Sequence, residues 1–463
     1  MVQRSCIRGV AAWSGGKVLT VNTSNIRFLP AICVIGFALG CGSSPTGILE
    51  TKVEIREQRL ETREGSASSR SAVRQADRSL LDAVRRSKPD FLRELATLVN
   101  IDSGTDNAVG LAQVTEILAQ RLTNLGARVE VLSAAPAAGK LVHGTFHGTG
   151  TKKIMLMVHF DTVFDKGEAT RRPFKVEGSK AFGPGVADAK GGVAVILRAL
   201  DIARQRGFKD YRTLTILFNS DEEKSSLGSR DLIRTLSAQQ DYVLSYEPPN
   251  AERVIVATNG IAYVHLNVKG RASHAGSAPQ EGRNAAIELS GQIMQLRNLG
   301  DGTKGTTVNW TMLQSGNRAN IIPEDASATA DMRLSDMSEL SRVQTDANKI
   351  IQRRIVPDTE VTVTVESRRP PFSRNPQSDR LAALAHQVYQ ELGKSLERVA
   401  MRYGTDAGFA YHPGSAKPAV LEGLGLVGNR LHSADEWADL DSVVPRLYLT
   451  VRMLELLAGS GTD

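Results

Sequence analysis

The chain has 463 residues, a net charge of +7, and 41% hydrophobic, 23% charged and 5% aromatic residues. That is too long for one ordinary core, and the make-up is that of a soluble globular enzyme, not of a disordered or membrane-spanning chain. Lys and Arg are scattered, with no basic stripe interleaved with aromatics, which argues against nucleic acid as a partner and suits an acidic small substrate. The only cysteines, Cys6, Cys33 and Cys41, precede residue 42, so the body holds neither a disulfide framework nor a thiolate metal site, and any metal there falls to His and carboxylates.

Taken in chain order, the apolar run Phe28–Gly40 follows Arg27 and precedes Cys41-Gly-Ser-Ser, which resembles a bacterial lipoprotein leader with Cys41 as the lipidated first residue. Residues 1–41 are therefore expected to be a signal peptide, giving export to the periplasm or a lipid anchor on the bacterial envelope. Ordinary cleavage and a start codon set too far upstream are the alternatives. Residues 42–79 read as a charged tether.

From Leu80 apolar residues fall at helical spacing to Val99, and again from Leu111 to Leu125 before Gly126. Short apolar runs at Val129–Leu132, Ile154–Val158, Leu214–Phe218 and Tyr242–Ser245, with a helical run Gly192–Arg206 among them, predict an α/β layer whose sheet is covered by helices. In such a layer the site forms where strands end. Residues 259–371 have their own rhythm, with strand Ala262–Val268, helix Asn284–Leu296 and strands Thr307–Leu313 and Ala326–Arg333. Helix Met337–Arg354 and strand Glu360–Glu366 complete it. This split order predicts an inserted α+β, ferredoxin-like domain between catalytic parts 80–258 and 372–463. Leu381–Leu392, Pro418–Leu421 and a last helix Ser442–Leu457 complete the first domain.

Five acidic or imidazole clusters sit at such strand or loop ends. His159-Phe-Asp161 closes an apolar strand, so that His159 can meet a metal while Asp161 takes its second N–H. Asp188 lies in the Gly-rich turn Gly183–Gly192, which permits the close approach that a carboxylate shared between two cations needs; as a bare residue it equally reads as a helix cap. Asp221-Glu222-Glu223 places three carboxylates together, which repel unless cations or solvent offset them. Glu247, in Ser245-Tyr-Glu-Pro-Pro, and His432, in a polar loop before the last helix, supply further ligands, enough for two metal ions if Asp188 is shared.

The ordered set His159-x-Asp161, Asp188, Glu222-Glu223, Glu247 and His432 resembles the co-catalytic zinc peptidases of the aminoacylase and carboxypeptidase G family. Asp221-Glu-Glu-Lys, Gly228-Ser-Arg-Asp-Leu-Ile, Gly260-Ile-Ala-Tyr-Val and Ala272-Ser-His-Ala-Gly are closest to its glutamate carboxypeptidase branch. The resemblance implies two Zn2+, with Co2+ or Mn2+ as substitutes: one on His159 and Glu247, one on Glu223 and His432, with Asp188 bridging. It implies Glu222 as general base, Asp161 orienting His159, and a lid and dimerisation domain whose His274 serves the oxyanion in a partner's site of a homodimer. Asn320 and Arg333 would bind the terminal carboxylate, and Arg369 and Arg253 a second one. Ala189, where close relatives often carry a second Asp, and Tyr403-Gly-Thr-Asp406 depart from the pattern. The activity so implied is a metallocarboxypeptidase that releases a C-terminal glutamate or other acidic residue from an N-acyl or peptide substrate. A general N-acyl-amino-acid deacylase or dipeptidase on the same metals is the alternative, and a zinc-dependent binding protein without catalysis is the third.

Overall fold

The structure, a computed structural model, describes residues 75–459. The expected leader, Cys41 and residues 42–74 of the expected tether lie outside the described residues. The first helix, Arg78–Val99, begins two residues ahead of the predicted start because Asp77 caps it, accepting from the Leu80 amide at 3.0 Å. It runs on through Pro89.

The larger sheet has six strands in the order Arg128–Ser133, Lys140–His147, Thr213–Asn219, Lys153–His159, Tyr242–Ser245 and Ala419–Leu421. The last four run parallel and the first two antiparallel. Side-chain alternation explains why the central strands are apolar throughout. On Lys153–His159, Ile154, Leu156 and Val158 enter the core shared with helices Arg78–Val99, Lys190–Gln205 and Val443–Gly459. Met155 and Met157 enter a second core with Leu217, Ile233, Phe409 and Val420 on the other face. The sheet is thus covered on both sides, as the sequence predicts. Lys140–His147 was not predicted: His143, Thr145 and His147 break its apolar run, and Gly144 stands where a Cβ would lie 2.9 Å from Leu122.

The inserted residues form a four-stranded antiparallel sheet in the order Thr307–Ser315, Asp325–Leu334, Gly260–Lys269 and Glu360–Arg369. Ala262, Val264, Leu266 and Val268 alternate onto one face, where they pack with Leu289, Leu296, Val343 and Ala347 of the helices Ala285–Leu296 and Ser338–Ile350. Tyr263, His265 and Asn267 take the other face, a period of two that made this strand legible. Elsewhere the sequence reading missed a parallel pair, Arg253–Thr258 with Glu397–Met401.

What matters for the site is register. His159 ends its strand, Asp221–Glu223 follow Asn219, and Glu247 follows Ser245. All three leave the same edge of three adjacent parallel strands, the edge at which sites form in open α/β sheets.

Candidate metal centre

The strand ends bring His159 and Glu247 side by side, with His159 Nε2 3.5 Å from Glu247 Oε1 and 3.2 Å from Asp188 Oδ1. The other oxygen of Asp188, Oδ2, lies 3.1 Å from His432 Nε2, which is 3.2 Å from Glu223 Oε2. Two three-donor sets therefore share one carboxylate, each of its oxygens turned to a different set. A tetrahedral ion held at about 2.0–2.1 Å has ligand atoms about 3.3–3.4 Å apart, which is the spacing found here. The donors, two imidazoles and three carboxylates, suit divalent metals of the zinc, cobalt and manganese kind. Glu223 Oε1 is buried without a hydrogen-bond partner, as befits an oxygen that needs a cation. The residues fit a two-metal group.

The electrostatics point the same way. Burial, together with the negative charge of Asp188, pushes Glu223 up to about 8. Burial likewise raises Glu247 well above the usual carboxylate range. Hydrogen bonds that it donates to Asp188 and Glu223 raise His432 to about 11. For His159 burial works downward but is outweighed by Glu247, Asp161 and Asp188, so it too rises. Asp188, whose burial is outweighed by the two imidazoles, is held below its ordinary value. This is the signature of surplus negative charge that either protons or cations must offset.

Each carboxylate ligand is held from behind by another buried carboxylate through its own backbone amide. Asp161 Oδ2 accepts from Glu223 N–H at 3.2 Å and from the Thr105 hydroxyl at 2.8 Å, while its Oδ1 accepts from Glu222 N–H at 3.1 Å and lies 3.3 Å from His159 Nδ1. The His159 Nδ1 also meets the Asp161 carbonyl at 3.1 Å, so with the proton on Nδ1 the Nε2 lone pair faces Asp188 and Glu247. Glu436 accepts from Gly185, Ala187 and Asp188 amides at 2.9, 2.9 and 3.0 Å, fixing the turn that presents Asp188. Glu422 accepts from Glu247 N–H at 3.2 Å. Ala189, next to the shared ligand, has no carboxylate to add and is fully buried in the larger core. His432 sits at φ 60°, a left-handed backbone that costs a non-glycine residue about 1 kcal/mol and that sets its ring over Asp188 and Glu223.

Glu222 ends next to the cluster, 8% exposed, and Arg369 Nη1 donates to its Oε1 at 2.5 Å. Arg369 also donates to the carbonyls of Glu222 and Gly404 at 2.8 and 2.9 Å. The structure thus unites His159, Asp161, Asp188, Glu222, Glu223, Glu247, His432 and Arg369. It places the other predicted residues elsewhere. Arg253 pairs with Glu397 at 2.8 Å, and Arg333 makes a two-point pair with Asp331 at 2.8 and 2.9 Å. Asn320 is exposed, its carbonyl accepting from Ala275 N–H at 2.9 Å. His274 is exposed as well, and its Nδ1 accepts from Gly276 and Ser277 amides, both at 3.1 Å, so the ring's N–H is Nε2, pointing away from those amides. Among the described residues no hydrogen bond or ion pair joins His274, Asn320 or Arg333 to the cluster. Glu436 and Glu422 were missed, although Glu422 follows an apolar strand just as Glu247 does.

Fold and cluster together define a metal-dependent hydrolase whose candidate paired cation sets sit where the parallel strands of a mixed sheet end. Residues 155–456 match Peptidase family M20/M25/M40, and the chain belongs to that family; it is a metallopeptidase. It is 41% identical over 382 residues to carboxypeptidase G2 of Pseudomonas sp. (strain RS-16), covering 82% of this chain and 92% of that protein. It is 28% identical over 389 residues to acetylornithine deacetylase of Edwardsiella ictaluri (strain 93-146), covering 79% and 97%. Among solved structures, a tripeptidase of Staphylococcus aureus subsp. aureus mu50 aligns with a TM-score of 0.68 at 21% identity over 81% of this chain and 99% of its own.

Proposed function

We propose that the protein is a zinc-dependent carboxypeptidase that removes glutamate, or another acidic residue, from the C-terminus of an N-acyl or peptide substrate. The observation that carries the reading is the pair of three-donor sets sharing Asp188, with Glu222 beside them. The 41% identity to carboxypeptidase G2 supports the carboxypeptidase assignment.

His159, Asp188 and Glu247 would hold one ion, and His432, Asp188 and Glu223 the other. Bound there, the ions would supply Lewis acidity, lowering the pKa of a water and polarising the scissile carbonyl. Glu222 does the proton work: its carboxylate takes the proton of the attacking water and hands it to the departing amide nitrogen. Arg369 aims Glu222 by donating to its carboxylate and to its backbone carbonyl. A substrate carboxylate reaches Arg369 only by exchanging with Glu222, so Arg253, half-buried and paired with the exposed Glu397, which can swing away, is the better reader of the glutamate side chain. His274, with its proton on Nε2 and exposed within its own chain, is suited to donate to the oxyanion in a partner's site of a homodimer, with Asn320 beside it and Arg333 on the same inserted domain for the terminal carboxylate. Export with a lipid on Cys41 belongs to the same proposal; fatty-acid labelling that is lost in Cys41→Ser tests it.

The deciding experiment is hydrolysis by the zinc-loaded protein of N-acyl amino acids that share one acyl group and carry glutamate, aspartate, glutamine or leucine. Preference for glutamate supports the proposal. Equal or better cleavage of leucine refutes it in favour of a general deacylase or dipeptidase.

A further inference from the structure

Asp406 closes the loop Tyr403-Gly-Thr-Asp406 and stands at the N-cap of the short helix Ala407–Ala410, but its side chain makes no capping bond there. Thr405 does that work, its hydroxyl accepting from the Ala407 amide at 3.3 Å. A buried aspartate that caps nothing has its charge committed elsewhere. Both of its oxygens go to the segment that carries Glu222. Oδ2 accepts from the Asn219 side-chain amide at 2.7 Å, and Oδ1 accepts from the Ser226 hydroxyl. Asn219 ends its strand ahead of Glu222 and Ser226 follows Glu222, so one carboxylate holds the segment at both ends.

That segment needs holding. After Glu222–Lys224 the chain passes through two consecutive left-handed residues, Ser225 at φ 68° and Ser226 at φ 54°. A Cβ disfavours this backbone region, which persists only where the surroundings fix it. Ser226 is fully buried, and its amide donates to the Asp221 carbonyl at 2.8 Å while its hydroxyl goes to Asp406.

The same carboxylate also backs the arginine that grips Glu222. Among the described residues Arg369 is the only hydrogen-bond partner of the Glu222 carboxylate, so the aim of the base follows the aim of the guanidinium. Arg369 Nε is buried without a partner, which leaves the two Nη groups to set that aim. Nη1 also donates to the Gly404 carbonyl, and Nη2 to the Glu222 carbonyl and, at 3.5 Å, to Ser226 Oγ; Asp406 Oδ1 lies 3.8 Å from Nη2. Outside Glu222, then, each group that the guanidinium meets is Asp406, a residue bonded to it, or part of its loop.

We propose that Asp406 is a positioning residue for the proton-transfer step, fixing Glu222 through Arg369 on one side and through the Asn219–Ser226 segment on the other. The inference rests on the reading of Glu222 as general base.

The test measures kcat and KM of the full chain at saturating zinc, with bound metal determined on the same preparations, using whichever of the four N-acyl amino acids above is cleaved fastest. The proteins are the wild type, Asp406→Asn, Ser226→Gly, Glu222→Gln, and each of the first two substitutions combined with Glu222→Gln. Asp406→Asn should lower kcat by about 10–100-fold, the scale of a misplaced reacting group, with KM within about twofold and bound metal unchanged. In the Glu222→Gln background the same substitution should cost less than about twofold, because no base is left to position, whereas damage to the fold would cost as much in either background. Ser226→Gly removes the hydroxyl that Asp406 holds and suits the left-handed backbone, so it keeps the test open if Asp406→Asn does not fold; its kcat should fall about threefold or more, again only while Glu222 is present. Wild-type kcat in both single variants, an equal loss in both backgrounds, or a loss that tracks bound metal overturns the inference. Glu222→Gln alone reads the underlying assignment: wild-type turnover there removes the base and this role with it, whereas an inert Glu222→Gln beside fully active Asp406→Asn and Ser226→Gly refutes only the role of Asp406.

Discussion

Glu436 touches no candidate metal position, yet the geometry makes it as necessary as a ligand. Its Oε1 accepts two amides, from Ala187 and Asp188, and its Oε2 one, from Gly185, all in the dry interior. In Glu436→Gln the amide oxygen can keep the two bonds to Ala187 and Asp188, but the NH2 then faces the Gly185 N–H, donor against donor. One buried charge-assisted bond is lost and one amide is left unsatisfied, a cost of about 1–3 kcal/mol. Glu436→Ala strands all three amides, for at most about 3–9 kcal/mol before water entry or local rearrangement relieves part of it. Asp188 hangs from this turn and serves both cation sets, so both affinities should fall together, by about 10–100-fold as for other outer partners of metal ligands. Urea unfolding followed by tryptophan fluorescence, with Trp437 as the adjoining residue, reads the first effect, and metal titration reads the second. A Glu436→Gln protein as stable as the wild type, with both ions bound as tightly, would refute the argument.

Glu222→Gln should leave metal content unchanged and lower turnover by about 10²–10⁴-fold, the worth of a positioned general base; turnover near the wild-type rate would remove Glu222 from that role. Asp161→Asn weakens four contacts at once, to His159, Thr105, Glu222 and Glu223, and should cost about 10–100-fold in metal affinity or activity, checked by titration and kinetics on the same preparation. Asp77 is lowered from 3.8 to about 2, its partial burial being outweighed by bonds from Leu80, Ser79 and Arg206. Its folded value is depressed, so its stabilisation is whole above pH ~4 and is lost as pH falls through about 2, amounting after screening to about 1 kcal/mol. The stability gap between wild type and Asp77→Asn should accordingly be flat from neutral pH to pH ~5 and close toward pH ~2; a gap that is constant across the whole range contradicts the ion-pair account.

The residues legible in sequence are those whose position relative to a strand carries the signal. His159, Glu223 and Glu247 each follow an apolar run, and an acidic or imidazole side chain just past such a run has few structural reasons to be there. The inserted sheet was legible for a similar reason, because Ala262–Val268 buries only one face and so alternates. Glu436 and Glu422 left no such mark. Their work is done across 248 and 175 residues of chain, on the amides of Asp188 and Glu247, and a backbone amide has no sequence signature. Arg369 shows the limit from the other side: a positively charged residue near a site reads as a substrate anchor until the fold shows which carboxylate it meets first.

The arrangement of acids divides them into two kinds. Asp161, Glu422 and Glu436 each accept backbone amides from the loop that carries a candidate ligand, so the loops are pinned by them, although burial still raises Glu422 and, with the charge of Asp188, takes Glu436 up to about 7. The side chains of the candidate ligands Asp188, Glu223 and Glu247 meet the imidazoles of His159 and His432 and each other's charge, and among the described residues they accept no backbone amide. A carboxylate held by amides gains little from a cation, whereas one held in place with its oxygens free gains most of its solvation from one. Selective binding at this centre therefore follows from which acids the backbone has already satisfied. By the same reasoning Glu222, held by a single guanidinium that can exchange and by no backbone amide, is the acid placed for the proton transfers proposed for turnover.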